Sequence, residues 1–398
     1  MRLAWNWAAT HQQGEWLSQA AEPLFWLYES RSNCREGVPL FGQAIQSLQA
    51  HETSAAASPT SVEWMQHLAL GQALNYQGFF CFRQGQHPQG RDLLQRSLRL
   101  LRTLVDNGVP QARLALSEAT AFLGTVTSVM GDYAEGRRLL YESLSMKQIL
   151  EDKGGAAFCL RQLGLAAYSL GEYVEAHHLL SESLAFSREM KNTWAIAASL
   201  NALGTAAYAQ GAYQEARQLL QEGLALSQAL EDRYNIAVGL NGLGLVSQAL
   251  GQEGEAQHFF QESIALWREI GDQGSLAETL NNLGDNLLAL EDPLGARRCF
   301  MEALAIARET QVTPVALEAL LGLASLHLQE GAVEPALELV SQVLQHPATT
   351  QEAKNRAEGL ATGIESRLSF SQAAVIRARV PIKNFEAMIG ELLRLEPA

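Results

Sequence analysis

The chain has 398 residues, of which 47% are apolar and 18% charged, and its formal net charge is −14. That balance excludes a disordered chain, and the length exceeds one compact core, so the protein either divides into domains or extends as repeats. A negative surface disfavours nucleic acid or anionic lipid as the main ligand, and no stretch approaches the about 18 uninterrupted apolar residues of a membrane span.

The opening residues read as an amphipathic helix. Trp5, Asn6, Trp7 and His11 follow Arg2 too closely for a signal peptide. Segment Trp16–Ser47 reads as a divergent helical repeat with a heavy aromatic load (Trp16, Phe25, Trp26, Tyr28, Phe41). Terminal repeats of a solenoid are atypical because they cap an open core end, so residues 1–60 are taken as an amino-terminal cap. Trp5, Trp7, Trp16 and Trp26 are expected to pack internally; left exposed, they would favour self-association. The cap ends in a loop over 51–60 (HETSAAASPT).

Residues 61–110 form an irregular repeat. Gln77-Gly78, Gly85 and Ser97-Leu98 match Leu123-Gly124, Gly131 and Ser143-Leu144 at an offset of 46, with a turn at Asp106–Pro110 absorbing the excess. The arginines of this stretch (Arg83, Arg91, Arg96, Arg99, Arg102, Arg113) read as solvated helix faces.

A regular array of six units spans 111–346. Leu123-Gly124, Leu163-Gly164, Leu203-Gly204, Leu243-Gly244 and Leu283-Gly284 recur every 40 residues, with Leu323-Ala324 as a degenerate sixth. Gly131, Gly171, Gly211, Gly251 and Gly331 keep the same period, as do Ala176, Ala216, Ala256, Ala296 and Ala336. Self-similarity at a fixed period means stacked repeats. Each unit reads as two helices. Asp152, Asn192, Asp232 and Asp272 precede the first as caps. Leu200, Leu203, Gly204, Ala207 and Tyr208 then mark one helical face, and Gly211 suits a helix end with positive φ. Tyr213, Ala216, Leu220 and Leu224 mark the facing helix. A recurring mid-helix glycine implies close approach of that second helix, with the small alanine receiving the contact. Residues 347–398 read as capping helices.

The order Leu-Gly, Gly-x-Tyr, Glu-Ala, Ala-Leu resembles the tetratricopeptide repeat, whose usual length is roughly 34 residues. A 40-residue unit is similar to the longer repeats of kinesin light chains and bacterial signalling ATPases. The resemblance implies an all-α, right-handed superhelical solenoid of antiparallel helix pairs. The ends add a narrower resemblance. RLAWNWAATHQQGEW at the start, and 339–368 and 373–393 (AAVIRARVPIKNFEAMIGELL) at the end, are similar to segments of signal-transduction ATPases with numerous domains. These are the maltose-regulator-like and antibiotic-regulator-like transcription factors of Chloroflexi-type bacteria. That likeness implies the sensory, repeat-bearing half of such a regulator, either as part of a longer gene or as a free-standing protein.

Catalytic and metal signatures do not emerge. No lysine stands in a GxxxxGK[ST] loop, no GxSxG is present, and His177-His178 and His258 lack partners at ligand spacing. The widely spaced Cys34, Cys81, Cys159 and Cys299 predict reduced, buried thiols in a cytoplasmic protein. Acidic pairs such as Glu151-Asp152, Glu231-Asp232 and Glu291-Asp292 read as turn and cap residues. The expectation is a protein-interaction module, not an enzyme, with no cofactor or metal and no direct contact with nucleic acid or membrane.

In a helix-pair solenoid the first helix of each unit lines the concave wall. The position three before the recurring glycine reads Ala121, Arg161, Asn201, Asn241, Asn281 and Leu321. An amide both donates and accepts, so Asn201, Asn241 and Asn281 could hold a peptide backbone, or bridge neighbouring helices instead. The ladder is similar to that of kinesin-light-chain-type repeats. Arg161 would anchor an acidic group, and Thr205, Asp285 and Glu278 would add selectivity. The expected ligand is a peptide or protein; a small-molecule sensor and a purely structural scaffold are the alternatives.

Overall fold

The computed structural model describes residues 2–49, 61–368, 370–378 and 385–395. The loop expected at 51–60 and residues 379–384 of the tail lie outside them. Twenty helices and no strand are found among the described residues. No helix there is long and apolar enough to cross a membrane.

The first three helices are α1 (Arg2–Thr10), α2 (Gly14–Glu29) and α3 (Cys34–Gln49), followed by the long pair α4 (Ser61–Arg83) and α5 (His87–Asp106). Six further pairs then alternate. The first helices are α6 (Ala112–Val129), α8 (Lys153–Ser169), α10 (Thr193–Ala209), α12 (Arg233–Ala249), α14 (Gln273–Ala289) and α16 (Thr313–Gln329). Their partners are α7 (Tyr133–Ile149), α9 (Tyr173–Glu189), α11 (Tyr213–Ala229), α13 (Glu253–Ile270), α15 (Pro293–Thr310) and α17 (Val333–Gln345). Helices α18 (Gln351–Glu365), α19 (Phe370–Ala378) and α20 (Phe385–Leu395) close the chain.

The repeat chemistry acts as its spacing suggests. Carboxylate or amide oxygens of Asp152, Asn192, Asp232 and Asp272 accept the backbone N–H three residues on, at 2.9 to 3.3 Å. Each satisfies a donor that a helix start leaves free. Gly131, Gly171, Gly211, Gly251 and Gly331 take φ of 73 to 100° at the turn inside each pair, and Glu291 replaces them at 60°. The turns between pairs place Glu151, Lys191, Glu231 and Gln311 at 53 to 58°, a region that side chains with a Cβ enter at a cost.

The mid-helix glycine is a packing device. A Cβ at Gly204 would lie 2.7 Å from the Leu220 side chain and 3.3 Å from the Ala216 carbonyl. The nearest neighbour is thus Leu220, one turn beyond the alanine expected to receive the contact. A second device recurs along the chain, at the 40-residue period from Ser143 onward. Ser97, Ser143, Ser183 and Ser263 are buried in the second helices and donate to carbonyls of Gly71, Ser117, Ala157 and Ala237 in the first, at 2.6 to 2.8 Å.

The solenoid also closes on itself. The Ser32 hydroxyl accepts the Tyr234 N–H at 3.2 Å, and His87 Nδ1 lies 3.1 Å from the Thr310 carbonyl. Arg83 stacks 3.3 Å from the centre of the Tyr234 ring and pairs with Glu29 at 3.3 Å, both side chains almost wholly buried. Arg83 is therefore not a solvated residue. Its burial between α2, α4 and α12 corrects the reading of that arginine stretch, whereas Arg91, Arg99, Arg102 and Arg113 are exposed. The aromatic cap also departs from expectation. Trp5 is buried and donates to the Leu40 carbonyl, but Trp7, Trp16 and Trp26 are 49%, 61% and 40% exposed. The cap core is filled by Phe25, Phe41, Tyr76 and Phe80, while Trp7 packs against His11 and Trp16 outside it. The four cysteines are buried and free.

Candidate functional site

The concave faces of the first helices line a cavity of about 630 Å³. Its wall is contributed by α6, α8, α10, α12, α14, α16 and α18, with Tyr133 and Leu140 from α7, so successive units of the coil share it. Helix α18 is held across the opening. The Tyr168 hydroxyl donates to Glu352 at 2.8 Å, and the Arg356 guanidinium donates through both terminal nitrogens to the Asp285 carboxylate. Arg356 also lies 3.8 Å from Glu318, to which the Thr350 hydroxyl donates at 3.4 Å.

The electrostatics of the cavity are one-sided. Glu278, Asp285, Glu318 and Glu352 line it, with Arg356 as the lining cation. Glu278 is open to the cavity but ringed by protein. Desolvation, with Asp272 and Glu352 adding repulsion, pushes its carboxyl up to about 7. Desolvation likewise raises Glu318 to about 7, although Arg356 pulls the other way. Burial lifts the Tyr168 phenol well above its usual range and pushes Tyr133 up to about 12. A charged carboxylate without a matching cation is costly in such surroundings, and an incoming cation relieves that cost.

Of the expected groove residues, Glu278, Asn281 and Asp285 meet on this cavity. Asn201 is 1% exposed, and its amide donates to the Asn235 carbonyl of the next first helix at 3.0 Å. Asn281 makes the equivalent bond to the Val315 carbonyl at 2.9 Å while touching the cavity. Asn241 accepts from the Asn282 amide at 2.9 Å. All three asparagines thus bond a neighbouring first helix, and Asn281 does so from the cavity wall. Thr205 donates to its own helix at the Asn201 carbonyl. Arg161 lies apart from the main cavity, in a second pocket of about 360 Å³.

Glu318, Glu352, Arg356 and Tyr168 were not foreseen. Glu318 stands one 40-residue period after Glu278, so the column was visible in the sequence. Arg356 and Glu352 belong to the closing helix, outside the period, and carried no such signal.

Tetratricopeptide-repeat profiles match residues 116–189, 195–269 and 235–309, and a further one 281–352, together more than half of the chain. Among solved structures, a Rap protein complexed with competence and sporulation factor is similar at TM-score 0.66 and 14% identity, covering 94% of this chain and 99% of that one. NprR in complex with its cognate peptide NprX gives 0.61 and 15%, covering 93% and 97%. A signal-transduction ATPase with a tetratricopeptide repeat sensor from Pyrococcus horikoshii gives 0.44 and 14%, covering 91% and 55%. No curated protein sequence matches the chain.

Proposed function

Because the chain belongs to the tetratricopeptide-repeat family, we propose that it is a binding module whose concave cavity receives a short peptide bearing a cationic group. The observation that carries this is the excess of carboxylates in a cavity about 630 Å³ in volume, within the roughly 300–1,000 Å³ of ligand sites. Two structures of this fold were solved with a cognate peptide and with a competence and sporulation factor, which supports a peptide as the kind of ligand. A ligand held there touches first helices from several units at once. Occupancy would therefore favour one pitch of the coil over others, the behaviour required of a sensor. The same role fits the sensory half of a signalling ATPase, which the chain's ends resemble.

A small cationic molecule is the second reading, favoured by the tyrosines in the wall and by amides already committed to helix bridging. Calorimetry with synthetic pentapeptides carrying arginine or citrulline at one position, and with free agmatine, separates the two. Arginine peptides should bind at least tenfold more tightly than citrulline peptides. Binding should strengthen from pH 6 to pH 8, because Glu278 and Glu318 lose protons through about 7 and the cation prefers their charged forms. Glu278→Gln should reduce that pH dependence, and the double variant with Glu318→Gln should remove most of it. Equal affinity for arginine and citrulline peptides, with no agmatine binding, would overturn the proposal.

A further inference from the structure

The second pocket differs in kind from the first. Its volume is about 360 Å³, and its walls are Trp26 from α2, Phe158 and Arg161 from α8, Met190 at the end of α9, and Trp194 from α10. Arg161 is 8% exposed. Its guanidinium carbon lies 5.4 Å from the Phe158 ring and 5.8 Å from the Trp194 ring. No carboxylate lies within ion-pair distance of it among the described residues, and no hydrogen bond takes up its donors. The nearby acids are already engaged. Glu29 pairs with Arg83, and Asp152 pairs with Lys147 at 2.7 Å while capping α8. Arg83 itself repels Arg161, and desolvation is the main force holding the Arg161 guanidinium below its ordinary range, at about 10.

A guanidinium presents five donors in a planar fork, and one buried without a counter-ion is under strong pressure to acquire one. Three further observations point the same way. The starts of α8 and α10, at Gly154 and Asn192, open on this pocket and add partial positive charge. Trp194 Nε1 is a buried donor with no partner. Trp26, 40% exposed and 5.8 Å edge-on to Trp194, forms an apolar rim. We propose that this pocket binds a carboxylate carried on an apolar group, with Arg161 as its counter-ion and Phe158, Trp194 and Trp26 enclosing the apolar part. The carboxylate comes from a free organic acid or from the carboxy terminus of a peptide ending in an apolar residue. The site stands independently of the acid-lined cavity, which asks for the opposite charge.

Calorimetry on the full chain tests this with phenylacetate, its neutral analogue phenylacetamide, and the peptide Ala-Ala-Phe with a free or an amidated carboxy terminus. At least one free carboxylate should bind, and its neutral analogue at least tenfold more weakly. Preference for phenylacetate identifies a free acid as the source; preference for the free-ended peptide identifies a terminus. Arg161→Met should abolish the charge preference without lowering the melting temperature, since it removes an uncompensated buried cation. Trp26→Ala, at the exposed rim, should weaken the same ligand while the charge preference survives. No binding of either acid at millimolar concentration, equal binding of acid and amide, or a large fall in melting temperature for Arg161→Met would each overturn the assignment. The last would show that Arg161 is already compensated within the protein.

Discussion

Arg83 shows how much one side chain can carry that its neighbours in sequence do not disclose. It follows the pattern of a basic, solvated helix, yet it ends α4 in a buried ion pair with Glu29 and lies flat on Tyr234. Removing one member of such a pair strands the other charge. Arg83→Met should therefore destabilise the protein by about 3–5 kcal/mol, whereas the double variant with Glu29→Leu should recover most of that loss. Urea denaturation of the two variants checks the prediction, and a double variant as unstable as the single one would refute it. The asparagines teach the converse. Their column and period were legible in the sequence, but spacing alone could not tell whether an amide faces the lumen or the next helix. The amide nitrogens of Asn201 and Asn281 reach the carbonyls of Asn235 and Val315, 34 residues further on, and Asn281 does so while lining the cavity.

Single helices in this array are joined by small, repeated groups. The buried serines of the second helices each reach a carbonyl of the first, and the 40-residue spacing of Ser143, Ser183 and Ser263 was as plain in the sequence as that of the glycines. Ser143→Ala and Ser263→Ala should each lower stability by about 1 kcal/mol, and by the sum when combined, because the sites are remote from one another. Chemical denaturation midpoints measure both. The exception in the column is instructive: at Gly223 a Cβ would lie 2.5 Å from Asn201 Oδ1, so the space of the serine is taken by the bridging asparagine. Fold and helix boundaries were readable because caps, turns and stripes are local. The identity of each packing neighbour, such as Leu220 against Gly204, depends on the pitch at which two helices cross and was not.

The closed coil is a property of the whole molecule, and it was the least legible feature. Its fastenings join residues such as Tyr168 and Glu352, or His87 and Thr310, that share no column and no period. Around the cavity, Arg356 offsets part of the repulsion among Asp285, Glu318 and Glu352. Arg356→Gln should loosen α18, seen as faster amide hydrogen exchange there and in the carboxy-terminal half of α8, with α11 unchanged. The loosening should fade towards pH 6, where Glu318 regains its proton. Uniform exchange across the chain, or an effect that grows in acid, would contradict this account. Fastening one turn to the next also has a consequence for how such a chain can change over generations. An open stack of repeats gains or loses a unit at either end or in the middle with little penalty. Here Ser32 meets the Tyr234 backbone and Arg83 meets the Tyr234 ring only if the intervening units number as they do. Losing or duplicating one 40-residue unit would put every such meeting out of phase, as a stripped thread no longer seats its nut, so the length of the array is inherited as a fixed count.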